Sequence, residues 1–264
     1  MKLLNPISRG TLYGFVPTDK KLLEIGPFAK PQFRSPQYDV AYADIMTSEQ
    51  MAVWIEKNEQ QEHYDISQIP EKIDILIDPR STPAFNTELK FGAIYSSHNI
   101  EHHPDIVNHL LEMASVSLDN STEFVLAIPD KRYCFDHFQH ASSYAEMIGA
   151  HLERRRNNLH TTVLQDYIFR AHNDSKRHWD NEHDSNPWHQ PITAEWITKI
   201  KGIIEDAKKV DTEYVDAHAW KFTPFSFGQA ITVLNSLGLQ PWRIHAIYDT
   251  APGSNEFYAV LRLD

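Results

Sequence analysis

Short apolar runs alternate with polar stretches of helical spacing through the first half of the chain. Residues 20–25 (KKLLEI) predict a strand stopped by Gly26-Pro27, and 38–45 (YDVAYADI) predict a second that ends in an acid. A third strand is expected over 73–77 (IDILI), stopped by Asp78-Pro79, and a fourth over 91–96 (FGAIYS). A fifth covers 124–128 (FVLAI) and stops at Pro129-Asp130. Residues 48–61 read as a helix with Met51, Val53, Trp54 and Ile55 as its apolar members. Residues 104–118 read as another, with Ile106, Val107, Leu110, Leu111 and Met113 at helical spacing. Strands alternating with helices predict a doubly wound α/β fold, a parallel sheet covered on both faces. Near the end, 225–237 predicts a helix closed by Gly238. Residues 240–248 and 256–263 predict an antiparallel pair joined by the turn 251–255.

The stretch 133–220 breaks this rhythm. It is rich in His, Arg, Asn and Trp, poor in strand-like runs, and carries helical patterns near 144–159 and 193–209. It reads as an insertion that covers the strand tips, inside a single domain spanning 1–264.

Composition narrows the possibilities. The chain is 41% hydrophobic, enough for a sizeable core, and its formal net charge is −11. An acidic balance speaks against a nucleic-acid binder and against an anionic membrane surface. No apolar run approaches the roughly 20 residues of a membrane span. The first residues turn polar too soon for a signal peptide. Cys134 is the single cysteine and has no internal disulfide partner, which fits a reducing, cytoplasmic compartment. The chain has 15 histidines, most of them after position 97, which hints at a polar site.

In an open parallel sheet, ligands sit beyond the carboxyl ends of the strands. Here the first strand leads into Gly26-Pro27-Phe28-Ala29, the second ends at Asp44 and the third at Asp78. An acid closing the second strand can accept both ribose hydroxyls of a nucleoside. Glycine after the first strand lets the backbone approach a ligand. The loop holds one glycine where a dinucleotide loop holds three, so a nucleoside without a pyrophosphate fits better. Read as plain structure, Gly26-Pro27 is a turn and Asp44 a helix cap.

Four segments carry a resemblance: LEIGP (23–27), YADI (42–45), FGAIYSSHNIEHHPD (91–105) and FVLAIPDKRYCFDHF (124–138). Together they resemble the class I S-adenosylmethionine-dependent methyltransferases. The last two are similar to bacterial small-molecule members linked with sugar and surface-glycan modification. The resemblance implies a seven-stranded, mostly parallel sheet whose last strand is antiparallel. It implies a cofactor site at Glu24, Gly26, Pro27 and Ala29 for the methionine half, Asp44 for the ribose, Asp78 and Pro79 beside the adenine, and Ser96 and Ser97 near the sulfonium. The acceptor is then a small molecule, a sugar hydroxyl on a nucleotide-linked or glycan precursor.

Transfer to a hydroxyl requires a base, and histidine suits neutral pH. His98, His102 and His137 are the leading candidates, with His103 beside them and Asp130 or Asp136 to orient one of them. Arg132 could hold a phosphate or carboxylate of the acceptor as a fork. Asp130, His178 and Trp179 complete the expected acceptor contacts. The insertion carries no His-x-x-x-His or cysteine signature for a metal, and the run 154–156 reads as a solvated helix face. Two rival functions remain open: a metal-dependent hydrolase built on His172, His178, His183 and His189, and a nucleoside-binding module without catalysis.

Overall fold

A computed structural model describes residues 2–81 and 83–263; Met1, Thr82 and Asp264 lie outside the described residues. Seven strands form one sheet: β1 (Leu22–Ile25), β2 (Val40–Asp44), β3 (Ile75–Leu76), β4 (Ala93–Ser97), β5 (Glu123–Pro129), β6 (Trp242–Tyr248) and β7 (Glu256–Leu263). Their spatial order is β3-β2-β1-β4-β5-β7-β6. All pairs are parallel except those that β7 makes with β5 and β6. The doubly wound, mostly parallel sheet is therefore as expected, with its reversal between β1 and β4.

Successive side chains on the central strands are buried on opposite faces. Leu23, Ile94, Phe124 and Leu126 join one apolar cluster, and Leu22, Ala93, Val125 and Ala127 join the other. The first cluster includes Val107 and Leu110 of α3 (Ile106–Val116) and Phe227 and Leu234 of α8 (Pro224–Ser236). The second includes Leu12 of α1 (Arg9–Tyr13), together with Val16 and Phe33. Each large buried side chain contributes about 1.5–3 kcal/mol, which explains why strands buried on both faces read as continuous apolar runs.

Element ends differ from the sequence pattern for local reasons. The third strand shrinks to two residues, and the Asp74 carboxylate takes the backbone N–H of Tyr42 at 3.0 Å. Asp105 caps α3 by accepting from Asn108 N at 2.9 Å, so the helix starts after it. The helix expected over 144–159 stops as α4 (Tyr144–Leu152), and Arg154 adopts φ +51°. Helix α2 (Ser48–Lys57) opens on a capping box between Thr47 and Gln50.

Beyond α4 the insertion adds α5 (His160–Ile168), α6 (Ser175–Trp179) and α7 (Ala194–Lys208). Val163 of α5 and Ala207 of α7 form a small core of their own with Val210 and Ala217. Helix α1 and helices α5 and α6 escape the sequence pattern. They span 5, 9 and 5 residues, and each buries one or two side chains, too few for a visible period. No helix among the described residues is long and apolar enough to cross a membrane.

Candidate active site

A cavity of about 1160 Å³ opens at the carboxyl ends of β1, β2 and β4. The loop after β1 enters it through Gly26, at φ +66°, where a Cβ would meet the Asn99 side chain at 3.4 Å. A side chain there is strained by the backbone itself. Phe28 also has positive φ, +43°, and its ring packs edge-on against Trp54 and Tyr64.

Asp44 ends β2 with only 6% of its surface exposed. Its carboxylate accepts from Met46 N at 3.1 Å and Phe28 N at 3.4 Å. Burial dominates these bonds and pushes its pKa up to about 6. Glu24 sits deeper in β1 and accepts from Gln32 N at 2.8 Å and Phe33 N at 3.0 Å. Burial pushes it up to about 7. Its carboxylate braces the loop 30–33 as well as bordering the cavity.

On the opposite wall, β4 delivers Ser97 and then His98, a non-glycine residue at φ +48°. Such strain persists only where the surroundings enforce it. Here His98 N donates to Ala127 O at 2.9 Å and Nε2 lies 2.9 Å from Glu256. Glu256 opens β7 and is also held by Arg9 from α1 and by Tyr258 Oη at 2.6 Å. Burial opposes its charge, yet the bonds from His98 and Arg9 hold it well below the usual carboxylate range.

His102 borders the cavity one turn later, with Nδ1 2.8 Å from Asp216. Desolvation works against its charge, but the Asp216 hydrogen bond and the charges of Asp216 and Glu101 raise its pKa to about 9. That departs from the neutral base expected at this position. Asp105 ties the insertion down by pairing with His151 of α4 at 3.0 Å.

Several expected residues stand elsewhere. Asp78 is exposed, turned to Ser81 and to Arg80 N at 3.0 Å, while its neighbours Ile77 and Pro79 line the cavity. Ala29 and Ser96 are buried behind the lining. Asp130 is fully buried and saturated by Arg132 and Thr250, and Arg132 also reaches Asp249 at 3.2 Å, so this pair braces the end of β5 rather than facing the cavity. Trp179 stacks on Tyr133 at 4.0 Å and donates to Ser254 O.

His137 and His178 lie together with His183 in a separate group outside the cavity lining. The His137 and His183 rings stack at 3.7 Å, and His172 stacks on His178 at 4.1 Å. Three of the four histidines of the hydrolase alternative thus gather, and His189 does not join them.

The sequence pattern missed the basic side of the cavity. Arg154, Arg155 and Arg156 line it together with Lys30. Arg155 pairs with Glu153, whereas Arg154 and Arg156 have no carboxylate partner among the described residues. Tyr167 and Tyr214 of the insertion also line it. These residues come from chain breaks and helix ends, where no periodicity marks them.

No protein-family model matches the chain, and no curated protein matches it. Among solved structures it is similar to the PH0226 protein from Pyrococcus horikoshii OT3, at 11% identity over 97% of this chain and 87% of that one, TM-score 0.46. It is also similar to the CcbJ methyltransferase from Streptomyces caelestis, at 9% identity over 98% and 90%, TM-score 0.45. The glycopeptide N-methyltransferase MtfA complexed with S-adenosyl-L-homocysteine gives 11% identity over 98% and 92%, TM-score 0.43.

Proposed function

We propose that the chain transfers a methyl group from S-adenosylmethionine to a hydroxyl of a sugar borne on a nucleotide or another phosphate-bearing carrier. One observation carries the reading. The Gly26 turn and the Asp44 carboxylate meet at a single cavity at the carboxyl ends of β1, β2 and β4, where open parallel sheets take nucleosides. The residues fit the cofactor. Asp44 is held by backbone N–H groups alone, so lone pairs remain for ribose hydroxyls. Ile77 and Pro79 offer an apolar border for a flat base.

The bound cofactor supplies an electrophilic methyl group. The chain supplies position, holding the acceptor oxygen in line at roughly 3 Å. Of the three histidines expected to act as base, His98 and His102 border the cavity and His137 does not. His98 is the residue best suited to take the hydroxyl proton, because Glu256 fixes its Nε2 and leaves Nδ1 to accept. Arg154 and Arg156, without carboxylate partners, suit a phosphate on the acceptor. In this reading the insertion 133–220 serves the acceptor through α4, α5 and Tyr214, rather than through His178 and Trp179.

Calorimetry of the full chain with S-adenosylmethionine and S-adenosylhomocysteine tests the first half: each is expected to bind once, and a chain that binds neither sinks the reading. A panel of nucleotide sugars, scored by mass for the gain of one methyl, tests the acceptor.

A further inference from the structure

We infer that Glu101, His102 and His218 form a binding site for one divalent transition-metal ion at the edge of the cavity. Glu101 lies in the short 3₁₀ turn Ile100–His102 that follows β4. It is 0% exposed, and neither carboxylate oxygen has a hydrogen-bond partner among the described residues. A buried carboxylate left this way is strongly disfavoured unless positive charge stands beside it, as an imidazolium or as a metal ion that replaces the imidazole protons.

Three imidazoles surround that carboxylate. His102 Nε2 is 3.6 Å from Oε1, His218 Nε2 3.8 Å and His98 Nδ1 4.0 Å. These separations are too long for hydrogen bonds. They are a few tenths of an ångström wider than ligand atoms around a bound ion, since bonds of about 2.0–2.2 Å in a tetrahedron put neighbouring ligand atoms about 3.4 Å apart, so small side-chain shifts would close the shell. The atoms of Glu101, His102 and His218 all lie within 4.8 Å of one another.

The outward nitrogens are independently fixed. His102 Nδ1 is 2.8 Å from Asp216, and His218 Nδ1 is 2.6 Å from Asp136. Each carboxylate takes the Nδ1 proton outward and turns Nε2 toward Glu101, where an ion binds by displacing any proton that Nε2 carries. Carboxylates behind imidazoles orient metal-bound histidines in this way. The fold builds the site across more than a hundred residues. Trp220 N donates to Glu101 O at 3.1 Å and Trp220 Nε1 to His103 O at 2.7 Å, which presses the segment bearing His218 against the turn.

Charge points the same way. Glu101, Asp136 and Asp166 are each at most 1% exposed, and Asp216 stands at the rim. Arg170 pairs with Asp166, and Lys221 donates to the His218 carbonyl. Histidines apart, these four carboxylates outnumber the two bases around Glu101. Two imidazoles and one carboxylate suit zinc, iron(II), cobalt(II) or manganese(II) better than magnesium or calcium. The imidazole group His137–His178–His183 differs. Backbone carbonyls orient His137 and His178, and no unpartnered carboxylate lies within it.

His98, His102 and Asp216 also line the cavity, so an ion here borders the acceptor's space and a hydroxyl oxygen is the ligand it would take. That role rests on the methyl-transfer reading; the binding of the ion does not.

The test loads chelator-treated full chain with Zn²⁺ by calorimetry and with Co²⁺ by visible absorption, with neither cofactor nor acceptor present. The parent is expected to bind, and Glu101→Gln to lose one equivalent along with its Co²⁺ bands. His102→Ala, at a partly exposed position, should lose the same equivalent with circular dichroism unchanged, which separates loss of the ion from loss of the fold. Asp216→Asn should weaken binding about tenfold to a hundredfold. His137→Ala should retain this equivalent. A parent that binds no metal overturns the inference. So does an equivalent kept by folded Glu101→Gln and lost in His137→Ala, which would assign the ion to the other imidazole group. Because cofactor binding is measured separately, failure here leaves the methyl-transfer reading intact, and failure there leaves this site intact.

Discussion

Glu24 and Asp44, on the β1 and β2 side of the cavity, accept hydrogen bonds from backbone N–H groups, whereas Asp136 and Glu256, beyond β5 and at the start of β7, are held by ionisable side chains. All four are buried, yet they move in opposite directions. Burial pushes Glu24 up to about 7 and Asp44 up to about 6. Asp136 and Glu256 are held low, because His218 in one case and His98 with Arg9 in the other overcome the same desolvation. A backbone N–H orients an acid without neutralising it, so a ligand can still use the carboxylate. An acid held by an imidazole or a guanidinium is committed to the fold, where it positions that side chain. The first side of the cavity is thus arranged to receive, and the second to hold its own histidines in place.

The largest expected break in this comparison is Glu256→Gln. It removes the carboxylate that joins Arg9, His98 and Tyr258, and should cost about 2–3 kcal/mol of stability. This lies below the 3–5 kcal/mol of a fully buried pair, because the Arg9 side chain is 36% exposed. Glu256 has a depressed folded pKa, so its contribution is present above the ordinary carboxylate value and is lost as pH falls below about 4.5. Denaturant melts across pH should show that loss in the parent only. Equal profiles would mean that Glu256 is not held by charge.

Asp44 should behave the other way. Asp44→Ala is expected to weaken S-adenosylmethionine binding by about 1.5–3 kcal/mol in calorimetry. Its folded pKa is raised, so ligand-accepting charge is present above about 6 and lost below it. Affinity in the parent should therefore fall as pH drops through 6, and the Ala variant should lose that step, keeping only the contribution of Glu24 near 7. An unchanged affinity in the variant would remove Asp44 from the cofactor site.

The smallest effect is expected at the arginine run. Arg154→Ala should leave stability within about 0.5 kcal/mol, as for other surface changes. It should raise KM for a phosphate-bearing acceptor several-fold while kcat and cofactor affinity hold. A cofactor affinity that falls instead would move this run to the other side of the comparison.

Local pattern was sufficient for the sheet. Alternating runs, Gly26-Pro27, Asp78-Pro79 and Pro129-Asp130 mark strands and their ends because each acts on the backbone within a few residues. Strand order then brought Gly26 and Asp44 to one cavity, since the ends of neighbouring parallel strands lie side by side. The 98–102 segment even carries His-x-x-x-His with Glu101 inside it, a spacing legible in the sequence. What only the tertiary structure decided is which distant partner faces each of these residues. Arg9 meets Glu256 across 247 positions, and His102 meets Asp216 across 114. Asp130, Arg132, His178 and Trp179 are types suited to binding, but the partners that packing gives them stand outside the cavity lining. A side chain's chemistry is written in its own residue; whether that chemistry is free to act depends on which groups packing sets against it, and no local periodicity encodes that.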